Sequence, residues 1–353
     1  MASLFEKGRK ILKNLAGIVF FIAAPVLIAN ASSSEESSDK KFSPSEMILH
    51  HIQDTHEFHI WGELAMPLPI ILWTEHGLDV FMSGGFYHGN GTITTDKGSY
   101  ILDHEHIYYA GEHGNDGHAA KPLDFSITRN VFSLFLSFAL ISWVFISIAG
   151  KYKKRGTAAP KGMQSFFEPI IIYVRDEIVV PNIGEKKAGK YLPYLLTLFF
   201  FIWINNMIGL VPFFPGGSNL SGNIAFTFTL SILTFLIVQF SANKAYWKHI
   251  FWMPGVPIPV RFILAPIEFL GTLSKAFALM IRLFANISGG HIVVLSLASM
   301  IFIFKSYVVG GVVTPFLLFI MVLELMVAAI QAYVFTLLTS LFIGMAVAED
   351  DHH

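Results

Sequence analysis

After a more polar first third, the chain alternates long apolar runs with short polar ones. Val131 to Gly150 carries no charge and closes with the basic cluster Lys151 to Arg155. That is the length of one membrane crossing, and the basic end marks its cytoplasmic side. Tyr191 to Asn243 contains no Asp, Glu, Lys, Arg or His, and the stretch VPFFPGGSNLSGN divides it into two spans joined by an outer turn. Lys244 and Lys248 then return the chain to the cytoplasm. Two last runs, roughly Arg261 to Phe304 and Val312 to Ala348, each exceed the roughly 20 residues needed to cross, so they tilt, kink or run partly along the membrane. The turn between them is expected near Tyr307 to Gly311. Gly162 to Lys190 mixes FFEPIIIYVRDEIVV with charges and reads as an amphipathic helix on the cytoplasmic surface. The expected fold is an all-α polytopic membrane protein with about five membrane helices, one amphipathic surface helix, a long tilted hairpin at the end, and a small β-containing exported N-terminal region.

The expectation of export rests on the first residues. A basic start through Lys13, an apolar core from Leu15 to Ile28 and small residues at Ala29 and Ala31 read as a secretory signal peptide, 1–31, cut after Ala31. An uncleaved anchor is the alternative, and either one exports the next segment. Residues 32–125 open with the linker SSSEESSDKKFS and hold ten of the fourteen histidines. The runs PLPIILW and GLDVFMS, set between glycine-rich turns, suggest a small β element. The membrane domain then spans 126–348, and 349–353 form a cytoplasmic tail. The clusters His50, His51, His56, His59 and His104, His106, His113, His118 raise a metal hypothesis, but their spacing matches no closed-site pattern. Solvated or proton-buffering imidazoles are the preferred reading, and no metal or cofactor is expected.

Composition agrees with a membrane protein: 54% hydrophobic residues, 34 phenylalanines, a mean hydropathy of +0.58 and only 14% charged residues. A net charge of −1 argues against nucleic acid as a partner. The absence of cysteine excludes disulfides, thiol catalysis and cysteine zinc sites. No GxxxxGK[ST] nucleotide-binding loop is present.

Against this apolar background the polar residues of the last two spans stand out. Glu268, Lys275 and Arg282 are seven apart, hence on one slowly drifting helical stripe, and Asn286 follows one turn later. Gly271, Ala276, Ala278, Ala285, Gly289 and Gly290 allow another helix to approach closely. An arginine at membrane depth costs at least about 2.5–3.5 kcal/mol. It either snorkels to headgroups or serves a function. Folding the last two spans into a hairpin brings Arg282 level with Gln331 and His291 level with Glu324. Four converging polar groups make a wet path. A structural His–Glu bond with Gln331 capping the arginine is the alternative, and the two are compatible.

The motifs IRLFANISGGH and LELMVAAIQAYVFTLLTSLFIGMA resemble those of the a subunit of F-type ATP synthases, over roughly Pro122 to Ala348 with a weaker echo at SEMILHHI. The signal peptide and enlarged exported region look like a variant of some Gram-negative bacteria, which implies the bacterial inner membrane. The resemblance implies that Arg282 faces the essential carboxylate of a rotating ring of c subunits. It also implies an outer half-channel lined by Asn286, His291, Glu324 and Gln331, and an inner one reached through Glu268 with Ser274 nearby. The implied partners are that c-ring, peripheral-stalk b subunits, the rest of the ATP synthase and membrane lipid. Two features depart from relatives: against some bacterial ones the acid and the imidazole are exchanged between positions 291 and 324, and Ala285 stands where many have glycine. The alternative function is a secondary transporter or an unrelated proton-driven stator, but such stators carry their own essential carboxylate, whereas here the conspicuous group is a cation.

Overall fold

The computed structural model describes residues 53–61, 64–87, 91–103, 105–110, 121–155, 160–211, 216–253 and 256–348. The signal peptide expected at 1–31, the histidines at positions 50, 51, 104, 113 and 118, and the tail 349–353 lie outside them.

The N-terminal region is built of short antiparallel strands. Strands β1 (Glu57–Trp61) and β2 (Leu64–Pro67) pair with each other. Strands β3 (Pro69–Thr74), β4 (Gly77–Met82) and β8 (Leu123–Asp124) form a sheet in the order β4-β3-β8, and β5 (Thr92–Thr95), β6 (Gly98–Asp103) and β7 (His106–Tyr109) form a meander. Gly77, at φ +96°, closes the tight turn between β3 and β4. Alternate residues of a strand point to opposite faces. Ile70 and Leu72 accordingly turn inward, where Phe86, Tyr100 and Ile107 complete a small core. The Tyr100 hydroxyl donates to Asp79 Oδ2 at 2.8 Å; burial, with the Asp79 carboxylate beside it, pushes this phenol up to about 12.

His56 is buried between two carboxylates, with Nδ1 3.7 Å from Glu105 Oε2 and Nε2 3.6 Å from Asp124 Oδ2. Burial alone would lower its pKa, but Asp124 and Glu105 outweigh burial and raise it to about 9. Two residues earlier, Asp54 ties this region to the first long helix, α1 (Arg129–Arg155). Its carboxylate accepts from Thr128 Oγ1 at 2.8 Å and from the Asn130 amide at 3.0 Å, satisfying an orphan donor at the positive end of the helix. Arg129 Nη2 donates to the Gln53 carbonyl at 2.9 Å.

The remaining described residues are mostly helical, and five helices among them are long and apolar enough to cross a membrane. They are α1, α3 (Glu185–Leu210), α4 (Ile224–Ser241), α6 (Ile258–Phe304) and α7 (Tyr307–Val347). The eight-residue α5 (Lys244–Phe251) links α4 to α6, with Asn243 capping its first turn at 2.9 Å to the Tyr246 amide. The amphipathic segment is α2 (Met163–Tyr173), which continues through a π-helical turn, Val174–Val179, to Ile183. Gly184, at φ +86°, breaks the helix there, so 185–190 open α3 instead of ending the surface helix. The apolar face of this segment packs on α7: Ser340 Oγ donates to the Ile178 carbonyl at 3.1 Å, and the bare Cα of Gly344 makes room for the Asn182 carbonyl. Lys187 Nζ donates to Val347 O at 2.7 Å, a cation at a helix C-terminus.

The hairpin turn is tighter than the sequence suggested. It is Lys305-Ser306, with Lys305 at φ +45°, and Tyr307 to Gly311 form the first turn of α7. Gly310 and Gly311 are absorbed within the helical run of α7.

Candidate functional site

At about 1.5 Å rise per residue, the 47-residue α6 is about 70 Å long, more than twice the roughly 30 Å hydrocarbon core. Arg282 stands one residue from its midpoint. It is half-buried at the edge of an exposed face that carries Ala278, Ile281 and Ala285, while Leu279 and Leu283 pack into the helical core behind it. Among the described residues no carboxylate forms an ion pair with it, and no hydrogen bond joins it to Gln331, which is buried on α7. A guanidinium cannot shed its charge. An unpaired one on the open face of a helix able to span a membrane is costly unless it meets a counter-charge or water.

Nine residues on, about 14 Å towards the end of the bundle that carries the β strands, His291 meets α7. Its Nδ1 lies 3.6 Å from Oε1 of the buried Glu324. That oxygen has no hydrogen-bond partner among the described residues. Gly290 makes the approach possible, since a Cβ there would stand 2.7 Å from Glu324 Oε1. Gly209 on α3 lies on the other side, where a Cβ would crowd the Ser218 carbonyl at 3.1 Å and meet His291 Nε2 at an ordinary 4.0 Å. The 3.6 Å gap is longer than a hydrogen bond but short enough for a small side-chain rotation to close.

The other expected residues are more scattered. Asn286 is exposed one turn beyond Arg282. Glu268 is half-buried about 21 Å from Arg282 towards the opposite end. Ser274 is exposed and donates to its own helix at Gly271 O, 2.8 Å. Six residues apart, Glu268 and Ser274 sit on different faces of α6, so the structure does not bring them together. Lys275, on the same stripe as Glu268, places Nζ 5.7 Å from the centre of the Phe342 ring.

Sequence reasoning missed two asparagines. Asn205 and Asn206 are buried on α3; Asn206 Nδ2 donates to the Ala328 carbonyl at 3.2 Å, one turn past Glu324, and Asn205 Nδ2 to Phe201 O at 2.7 Å. Both side-chain oxygens are buried without a partner among the described residues. The available signal was an adjacent amide pair inside a run with no ionisable residue. Further polar links lead towards the β strands: Ser288 Oγ donates to Gly222 O at 3.2 Å and Ser218 Oγ to Asn130 Oδ1 at 2.6 Å. The membrane region thus holds a polar seam from the α1 terminus to the His291–Glu324 pair, with the unpaired Arg282 at mid-helix.

The family described as ATP synthase A chain matches residues 131–344, and a domain of unknown function, DUF8433, matches 47–125. The chain is 38% identical over 342 residues to ATP synthase subunit a 2 of Chlorobaculum tepidum, covering 94% of this chain and 81% of that one. It is 35% identical over 359 residues to ATP synthase subunit a 2 of Prosthecochloris aestuarii, covering 99% and 94%. To ATP synthase subunit a of Chloroherpeton thalassium it is 43% identical over 233 residues, covering 65% and 69%.

Proposed function

Because the chain belongs to the ATP synthase A chain family, as a non-catalytic membrane subunit of an F-type ATP synthase, we propose that it supplies two offset proton half-channels to a rotating ring of c subunits. Peripheral-stalk b subunits hold it against the torque. The observation that carries this reading is Arg282, unpaired among the described residues at the middle of a spanning helix.

A fixed charge about 4 Å from a passing carboxylate favours its ionised form by about 4 kcal/mol at an effective dielectric near 20, or about three pK units. Each rotor carboxylate gives up its proton before it passes Arg282 and takes up another beyond it. Since guanidinium does not donate that proton, the entry and exit paths stay separate and proton flow requires rotation. Asn286, His291, Glu324 and Gln331 belong to the outer path, with Asn206 facing it from α3. His291 and Glu324 hand protons across their short gap, one imidazole and one carboxyl group facing each other. Glu268 and Ser274 belong to the inner path, each on its own side of α6. The basic Lys151 to Arg155 cluster sets the orientation, with the β-stranded region in the periplasm and the C-terminus in the cytoplasm of a bacterial inner-membrane protein.

The test is Arg282→Lys in membrane vesicles. Lysine keeps the charge but loses the planar fork and titrates more readily when desolvated. ATP-driven proton pumping is expected to be lost while the complex still assembles, and retained pumping would overturn the assignment.

A further inference from the structure

The β4-β3-β8 sheet has one face turned to the small core and one left open. On the open face β3 presents Pro69, Ile71 and Trp73, paired across the sheet with Met82, Val80 and Leu78 of β4; Leu123 of β8 pairs with Trp73, and the Phe125 amide donates to Ile71 O at 2.9 Å. Every one of these positions is apolar. Trp73, Leu78, Val80, Met82, Leu123 and Phe125 are each between 47% and 65% exposed. Half-solvated antiparallel sheets normally place polar residues outward. Several hundred Å² of contiguous apolar surface is the size at which such patches mark a contact. Among the described residues no element packs on this face. The other sheet is the reverse case, with Thr92, Thr94, Asp103 and His106 exposed on it.

Two observations indicate what lies against the apolar face. First, it is continuous with the spanning region: only 126–128 separate Phe125 from Arg129, where α1 begins, and that helix exposes Phe135 and Phe138 further along. Secondly, its make-up is that of a membrane interface, with an exposed tryptophan among aliphatic side chains and a lysine at the rim, Lys97, whose Nζ donates to the Leu78 carbonyl. Lysine at that position buries its stem and keeps its ammonium at headgroup level. We propose that the open face of the β4-β3-β8 sheet rests on the lipid leaflet next to the N-terminus of α1, so that the β-stranded region is a membrane-lying module and not one held away in solvent. A sheet lying flat is the orientation that covers all six side chains at once and leaves the threonine-bearing sheet in water. This inference goes beyond the proton path and does not depend on it.

The chain has no cysteine, so single labels can be placed in it directly. Val80→Cys, Leu123→Cys and Thr92→Cys variants of the full chain would be nitroxide-labelled and reconstituted in phosphatidylethanolamine–phosphatidylglycerol bilayers. Collision with oxygen, which partitions into lipid, would be compared with collision with a water-soluble nickel chelate. Labels at 80 and 123 are expected to relax more with oxygen than with nickel, and the label at 92 the reverse. Nickel access at 80 and 123 equal to that at 92 would show a solvated face. Exclusion of both reagents at 80 and 123 would show a covering protein surface. Either result overturns the proposal.

Discussion

Gly290→Ala perturbs the His291–Glu324 pair with the least disturbance elsewhere. The added methyl would stand 2.7 Å from Glu324 Oε1, 3.1 Å from its Cδ and 3.2 Å from its Cγ. Contacts that short force a shift, and the movable partner is the glutamate side chain, not backbone. The stability cost is that of an adjusted rotamer, about 0.5–1.5 kcal/mol, partly returned because alanine is the better helix former by about 1 kcal/mol. Assembly is therefore expected to survive. Proton transfer is less forgiving, since a displacement of about 1 Å in a reacting group costs up to about 100-fold, and here it enlarges a gap that is already 3.6 Å. Passive proton conduction through vesicles stripped of the soluble ATPase sector should fall about tenfold or more, the effect of about 1.4 kcal/mol on the barrier. Gly310→Ala is the matched control: it lies in the same hairpin, but its new Cβ would meet only Ile301 Cγ2, at an ordinary 3.9 Å. Unchanged conduction in Gly290→Ala, with the complex assembled, would refute the idea that the spacing of this pair limits proton passage.

Two other outcomes are expected. His291→Ala and Glu324→Ala should each slow proton passage, with the double variant less than additive because both remove one step of a shared path; full additivity in a double-mutant cycle would place them on separate routes. His56 in the β-stranded region has a folded-state pKa of about 9, raised above an unfolded value near 6.5, so its contribution, on the order of 3 kcal/mol, is fully present below pH 6.5 and lost as pH rises through about 9. Hydrogen-exchange protection of β3 and β8, corrected for intrinsic rates, should fall between pH 7 and 10 in the full chain and show no such step in His56→Gln. Equal protection across that range in the unaltered protein would contradict the charge assignment.

The features that the sequence made legible are those written at helical spacing. Five apolar runs became five long helices, and the hairpin arithmetic placed His291 against Glu324 because both lie on long regular helices whose periodicity is fixed. The turn is expected near Tyr307 to Gly311, but these residues, glycines included, continue the helical run of α7, and the left-handed Lys305 just before them makes the turn. Asn205 and Asn206, unlike Asn286 and Gln331, have no charged residue at helical spacing to draw notice to them; they stand out only where burial leaves their oxygens without partners among the described residues. His56 departs from the solvated imidazole that its cluster suggests, being buried at 2% exposure. Its partners, Glu105 and Asp124, arrive from distant strands that no local spacing announces. Among the described residues no three His, Asp or Glu side chains are placed to hold a metal.

The most direct measurement concerns the face on which Arg282 sits. In the assembled complex, Ala278→Cys and Ala285→Cys, which flank the arginine on the exposed side of α6, would each be paired with a cysteine one turn from the ion-carrying carboxylate of the c subunit and mildly oxidised. The account predicts an a–c disulfide from both positions, with proton flow blocked until it is reduced, and none from Met280→Cys or Leu283→Cys on the buried side. Absence of cross-linking at 278 and 285 in a complex that pumps protons would mean that the arginine faces no rotor carboxylate.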